Sequence, residues 1–341
     1  MPTVDKLTQS DIDTINKLKA GKISGLLPRL TPSVLIAGQN VVAVDTSLKP
    51  DLFIAKETKK RKIVLHATVG LLASDLPTLT SQKQMTTHYI VARDGTIIEV
   101  YPPKYWAFHL GKGAIGGNGA MSQESIAIEI SNYGPLELKN KGDKANPADD
   151  KFYTVYGSLY GSGNEKVDTK GFVGGSNPSV TKLLHAYRGY KYYASITEAQ
   201  YSALNALVTA LCNKFAIPLT AIEYENRFKV FENDQKAKDF QGICSHVNFR
   251  PSGKWDLSAW CDWDKITTQS DSIEWEEASS TEEPEGNPEG IRVLKEEKFD
   301  GADDNWEYTD TIDPISGAVI ETAENKKMRI LRENNPLICA F

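Results

Sequence analysis

Cysteine is scarce in this chain. Four cysteines in 341 residues (Cys212, Cys244, Cys261 and Cys339) are too few for a disulfide scaffold, and none forms a CxxC pair. They read as free thiols in a reducing compartment, with Cys244 and Cys261 as packing residues. No apolar run approaches the roughly 20 residues of a membrane helix, which excludes membrane insertion as an expectation. The opening stretch, MPTVDKLTQSDIDTINKLKAGK, lacks the apolar core of a secretory signal, so synthesis in the cytoplasm without an export signal is expected. A dense Lys/Arg stripe is also missing, so nucleic acid is not the expected partner.

The net charge of −6 is unevenly spread. Residues 267–290 hold eight acids and no base, and residues 291–341 hold seven bases and eleven acids. Residues 1–266 therefore carry 32 bases and 26 acids, a body of +6 that suits a polyanionic partner.

Along the chain, residues 1–22 read as a polar helix with Ser10 as N-cap, acids in its first turn and Gly21 at its end. VLIAGQNVVAV (34–44) reads as two short strands around a Gly-Gln-Asn turn. KIVLHATVG (62–70) reads as a buried strand ending at a histidine. THYIVARDGTIIEVYPP (87–103) reads as a hairpin turning at Asp94-Gly95. SIAIEIS (125–131) alternates like a strand, with Glu129 where an apolar residue would sit. TEAQYSALNALVTALCNKFAIP (197–218) reads as an amphipathic helix capped by Thr197 and closed by Pro218. Residues 136–180 look like a long surface insertion, and 267–290 like a disordered acidic linker. Short strand-like pieces in 291–341 (RVLKEEKF, NWEYTDTID, AVIETA, KMRILRE) suggest a small β module. These elements imply an α/β fold: a mixed central β-sheet flanked by helices, preceded by an N-terminal extension (1–60).

The stretch HVNFRPSGKWD (246–256) fits neither a helix face nor a strand, yet it collects His246, Lys254 and Asp256. His66 ends a strand, Glu129 lies inside one, and His109 follows the aromatic run KYWAF. Two imidazoles and one carboxylate can hold a zinc ion and leave a fourth position for water. A second carboxylate can serve as base, and a lysine can offset charge on an amide oxygen under attack. By spacing alone, a polar surface turn explains the loop equally well.

These segments, in this order, resemble the zinc-dependent N-acetylmuramoyl-L-alanine amidases, which share their fold with the peptidoglycan recognition proteins. KIVLHATVG resembles the strand bearing the first ligand. THYIVARDGTIIEV resembles the following hairpin, WAFHLG the "AWHAG" segment, and SIAIEIS the "SIGIE" strand. SHVNFRPSGKWD resembles the closing segment, with its lysine two residues before its aspartate. RGYKYY (188–193) and the helix ending in FAIP also look like family segments, so the resemblance spans about 62–265. It implies His66, His246 and Asp256 as Zn2+ ligands, Glu129 as base and Lys254 as oxyanion partner. Trp106 and His109 would line the sugar–peptide groove. Some members place a catalytic tyrosine before the hairpin's His-Tyr. Here that position is Thr87, which leaves Glu129 as the base candidate. Ser245 stands where a glycine is usual.

Several residues keep two readings. His88 is a packing residue or a substrate contact. Arg188 is a structural ion pair or the partner of a stem-peptide carboxylate. His185 is an ordinary hydrogen-bonded residue or a substrate contact. Tyr153, Tyr156 and Tyr160 stack on sugars or order their own loop.

The implied partner is peptidoglycan, and the implied reaction is hydrolysis of the amide between N-acetylmuramic acid and L-alanine. The setting would be the bacterial cell wall, reached through a holin, as for an endolysin, or through a secretion or injection machine. A non-catalytic peptidoglycan-binding module on the same fold is the alternative; such members usually lack a ligand, whereas all three candidates are present here.

Overall fold

The parallel pair β3 (Lys62–Ala67) and β6 (Ser125–Ile130) is almost wholly buried. Strands covered on both faces need apolar residues at nearly every position, and KIVLHA and SIAIEI supply them. Alternation then sorts the side chains. Ile63, Leu65, Ile126, Ile128 and Ile130 join the cluster formed with the long helix α4 (Glu198–Phe215). Val64 joins a different cluster. His66 and Glu129 share the face opposite α4, and they are direct neighbours in the strand register.

This computed structural model describes residues 5–139 apart from 35, 37, 47–51, 53 and 83–84, then 151–157, 159–160, 180–251 and 254–268, with the backbone of 311–312 and 319–320. It forms two units, 1–291 and 292–341. In the first, a seven-stranded mixed sheet runs in the order β1 (Leu27–Arg29), β2 (Val41–Asp45), β5 (Ile97–Glu99), β4 (Tyr89–Val91), β6, β3, β11 (Gly242–Ser245). Helices α1 (Lys6–Lys19) and α2 (Leu72–Leu79) supply Ile15, Leu18, Leu72 and Leu76 to the other face. Short helices α3 (Asn118–Gln123) and α5 (Asp234–Asp239) cover Val64 and Cys244, and α6 (Asp264–Thr267) packs on α4. No helix among the described residues is long and apolar enough to cross a membrane.

The expected mixed sheet with flanking helices is what the chain forms. The hairpin turns at Asp94-Gly95, where Gly95 has a φ of 86° and Asp94 accepts the Thr96 amide. Thr197 caps α4 in a reciprocal box with Gln200. Three local expectations are corrected. Asp5, not Ser10, caps α1, because its carboxylate accepts the Leu7 and Thr8 amides. Helix α4 ends at Phe215, with Ala216 left-handed, before Pro218 is reached. The second half of VLIAGQNVVAV is a strand, while among the described residues of its first half Val34 and Ile36 are buried outside any element.

The first 60 residues contribute α1, β1 and β2 to this body. Two buried polar contacts tie them in. Glu99 on β5 is 0 % exposed, and its carboxylate accepts from the Ser33 amide and hydroxyl, the Tyr89 hydroxyl and the Arg29 guanidinium. On α1, buried Asp11 accepts the Arg93 amide at 2.9 Å.

Residues 136–180 open with strand β7 (Pro135–Lys139) and include β8 (Lys151–Thr154). With β9 (Val180–Tyr187) and β10 (Tyr190–Ala194) they make a second sheet in the order β8-β7-β10-β9. Residues 140–150, 158 and 161–179 lie outside the described residues, as does all but the first two positions of the acidic linker. In the second unit a β12 (Thr311–Ile312) and β13 (Val319–Ile320) pair falls within NWEYTDTID and AVIETA, and the other strand-like pieces lie outside the described residues.

Asp75 on α2 is buried and close to Asp11. Burial first, and the Asp11 charge among smaller causes, push its carboxyl up to about 8. A carboxyl raised in the folded state binds its proton more tightly there than in the unfolded chain. Its contribution is complete below pH 4 and is lost as pH rises to about 8. At about 1.4 kcal/mol per unit, a rise of about four units puts roughly 6 kcal/mol of pH-dependent stability on this group. Asp75→Asn should flatten the fall in denaturant midpoint between pH 4 and 8 and make the protein the more stable of the two at pH 9; an unchanged pH profile would show that Asp75 ionises normally.

Candidate active site

The site forms where β3, β6 and β11 end. His66 and Glu129 come from paired strands. His246 follows β11 on a one-turn 3-10 segment, His246–Asn248. Ser245 caps that turn: its amide donates to Asn248 Oδ1 at 2.9 Å, and its hydroxyl accepts the Val247 amide. The serine thus has a structural task at the position usually held by glycine. Asp256 is tied to β3 by the Ala67 amide, which donates to Oδ1 at 3.1 Å.

His66, His246 and Asp256 are all buried, and one ligand atom from each lies within 4.8 Å of the others. His66 Nδ1 is 3.7 Å from Asp256 Oδ1, and His246 Nδ1 is 3.8 Å from Oδ2. These separations are too long for hydrogen bonds. They are slightly wider than the roughly 3.4 Å between ligand atoms of a tetrahedral zinc with bonds of about 2.0–2.1 Å. Glu129 Oε1 is 3.9 Å from His66 Nδ1, so the second carboxylate stands beside the cluster.

The hydrogen bonds behind the histidines determine which nitrogen is bare. Ser125 donates its hydroxyl hydrogen to Met121 O at 2.6 Å, so it accepts from His109 Nε2 at 2.8 Å. His109 Nδ1 is then the acceptor for His66 Nε2–H at 3.0 Å. His246 Nε2 lies 2.9 Å from Leu110 O, which only accepts. Both ligand candidates therefore carry their proton on Nε2 and turn a bare Nδ1 towards Asp256. His246 Nδ1 and Glu129 Oε2 are buried with no hydrogen-bond partner in the protein. A buried lone pair without a donor is costly, and a cation among these three residues satisfies it.

The electrostatics point the same way. Burial first, with Lys254 and neighbouring histidines adding to it, holds His66 and His246 well below the usual imidazole range. Both are neutral at neutral pH, as metal ligands must be. Burial raises Asp256, opposed by Lys254 and the Ala67 amide. Burial and then the Asp256 charge push Glu129 up to about 8, again opposed by Lys254. Lys254 is half-buried on the loop that carries Asp256.

The remaining candidates fall elsewhere. His109 is 8 % exposed and backs His66. His88 is 0 % exposed, its Nδ1 accepting the Ala127 amide and its Nε2 facing Tyr105 O, so it is a packing residue. Trp106 is buried edge-to-face against Phe108. Arg188 is half-buried, and its guanidinium donates to the carbonyls of Lys254 and Arg250; among the described residues it forms no ion pair with a carboxylate. His88, Trp106 and His109 are interior because loops and helices pack over the segments that carry them. Thr87 is buried with its hydroxyl on Tyr89 O and Ala127 O. His185 is exposed on β9, Tyr160 packs on Tyr133, and Tyr153 lies under Lys139. Cys244 and Cys261 are free thiols outside the cluster. Sequence reasoning missed Ser125, Asn248 and the Leu110 carbonyl; the S-x-x-N spacing of Ser245 and Asn248 was the one available sign.

Two bare imidazole nitrogens, a carboxylate ligand and a second carboxylate beside them make the donor set of a metal-assisted hydrolase. The chain belongs to the N-acetylmuramoyl-L-alanine amidase family, whose model matches residues 56–256. Among solved structures it is similar to the N-acetylmuramyl-L-alanine amidase AmiD from E. coli, solved with anhydro-N-acetylmuramic acid-L-Ala-D-gamma-Glu-L-Lys. Identity there is 21 %, over 48 % of this chain and 47 % of that one, at a TM-score of 0.29, so the match spans about half of AmiD. It is also similar to AmpD (14 %, 70 % and 97 % coverage, TM-score 0.34) and to the amidase LysC from Clostridium intestinale URNW (12 %, 67 % and 94 %, TM-score 0.33). No curated protein matches.

Replacing His109 by alanine removes the acceptor that orients His66. Zinc affinity is expected to fall tenfold to a hundredfold, read by competition with a chromogenic chelator. His88→Ala should lower the melting temperature and leave zinc affinity within twofold; equal losses in both variants would show that burial, not orientation, governs the site.

Proposed function

We propose that this chain is a zinc-dependent peptidoglycan amidase that cleaves the bond between the lactyl group of N-acetylmuramic acid and L-alanine. The observation that carries the reading is the meeting of His66 Nδ1, His246 Nδ1 and Asp256 beside Glu129, with Lys254 two residues from the aspartate.

His66, His246 and Asp256 would hold the ion, which when bound supplies a Lewis acid that makes water nucleophilic near neutral pH. Glu129 takes a proton from the attacking water as the C–O bond forms. Its carboxyl is held high by burial and by Asp256's charge. Asp256, once shared with a cation, no longer opposes its ionisation. Glu129 can then work near neutral pH, where a base is most effective. Lys254 donates to the amide oxygen as that oxygen gains charge. Glu129 returns the proton to the leaving amine as the C–N bond breaks. Peptidoglycan lies outside the cytoplasmic membrane, so the work is done at the cell wall after delivery, through a holin as for an endolysin or by an injection system. The +6 body suits that anionic polymer.

The test is release of soluble peptides from purified peptidoglycan, followed by mass spectrometry. Peptides with a free L-alanine amine should appear, vanish on chelation and return with added zinc. Glu129→Ala should lower the rate by a factor of about 100 to 10,000. Tight binding to wall material with no release from any wall type would leave a recognition module instead.

A further inference from the structure

Arg188 and Gly189 are the two residues between β9 and β10, with Tyr187 and Tyr190 paired on either side. Both have positive φ, 47° and 86°. This is the two-residue hairpin turn that favours Asn-Gly or Gly-Gly, because side chains other than those of Gly, Asn and Asp strain the left-handed region. An arginine persists there only where its surroundings hold it. Here they do. The guanidinium reaches across to the catalytic loop, where Nη1 donates to Lys254 O and Nη2 donates to Arg250 O at 3.3 Å. Beside it, the Tyr190 ring meets the Trp255 ring edge-on at 5.9 Å between centroids. One planar, always-charged fork thus grips the Arg250 and Lys254 carbonyls together, and an aromatic contact fixes Trp255, the next residue. The far side of the same loop is held separately, by the Asp256 bond to the Ala67 amide.

From this geometry we infer that Arg188 is a positioning residue: it clamps the Arg250 and Lys254 carbonyls so that Lys254 meets the amide oxygen, and thereby joins the second sheet to the catalytic loop. The role of Lys254 in this statement rests on the function proposed above. Arg188 donates to no metal-ligand side chain and acts on Asp256 only by charge, as the smallest of the causes acting on that carboxylate, so its loss should act on rate and leave the site's metal in place. A displacement of about 1 Å at a catalytic group costs on the order of a hundredfold.

The experiment uses the full chain with zinc bound and four variants: Arg188→Ala, Arg188→Gly, Lys254→Ala and the Arg188→Ala/Lys254→Ala pair. Arg188→Gly keeps the turn unstrained and removes only the fork. Both single Arg188 variants should lower kcat tenfold to a hundredfold, with KM and zinc affinity within twofold. In the Lys254→Ala background, Arg188→Ala should cost less than twofold more, because the two residues act as a unit. Amide exchange of the peptide covering 250–256 should quicken at least tenfold in both Arg188 variants. A rise in KM at constant kcat would make Arg188 a substrate contact. Full additivity with Lys254→Ala, or unchanged exchange in the loop, would overturn the clamp. If the wild type releases no peptide yet the loop loosens in both variants, the amidase reading fails while the clamp stands.

Discussion

Negative charge gathered where water is largely excluded is the constraint on which this molecule turns. Asp256 is buried and Glu129 mostly so, within a few ångströms of the same imidazole, and each is raised by loss of water. Lys254 is the cation that acts on both. A protein built only for stability would replace such a cluster with apolar side chains, often at no cost or with a gain of about 1–4 kcal/mol. The chain instead commits three strand ends, a capped turn and two backbone anchors to holding it. Neutral imidazoles with their protons fixed on the outer nitrogens complete an arrangement that a divalent cation relieves.

The sheet register does most of the positioning. In a parallel pair, a slip of one residue would turn His66 or Glu129 to the α4 side. The isoleucines flanking each polar residue prevent that slip, because every alternate position on β3 and β6 is packed into the α4 cluster. Core and site are therefore one pattern read on two faces. This is why so much was legible in the sequence: KIVLHA and SIAIEI each show a polar residue inside an apolar strand, and such a residue needs a partner or a use. The loop from His246 to Asp256 was legible by its residue types alone.

What was not legible lies beyond periodicity. His88, Trp106 and His109 resemble groove residues in sequence because they sit beside aromatic runs and strand ends. Their burial depends on loops and helices packing over those ends. The Leu110 carbonyl, which fixes the His246 tautomer, is a backbone atom and leaves no trace in composition. Likewise, the hydrogen-bond partners of Arg188 lie more than 60 residues away and are carbonyls, which residue type alone does not reveal.

The N-terminal segment shows how the same electrostatic economy extends away from the site. Asp11 sits at about 6 and Asp75 at about 8, so near pH 7 the outer carboxyl is mostly ionised beside Arg93 and the inner one mostly protonated. A neutral Asp75 scarcely adds to the repulsion that Glu129 meets from Asp256, and its own charge is the smallest of the causes acting on Glu129. Gly70, in the loop that leaves β3, lets this carboxyl approach the backbone, since a Cβ there would collide with Asp75 Oδ1. Protonating one carboxyl behind the site while a neighbour stays charged is cheaper than burying both as anions. Residues that look like an appendage in the sequence thus help set the charge state of the body they pack against. The tie is energetic as well as covalent: Glu99 on β5 is buried because Ser33 and Arg29 come from that segment to meet it. Without them a charged carboxylate would face its own core, and the strand beside β4 would lose the reason for its place.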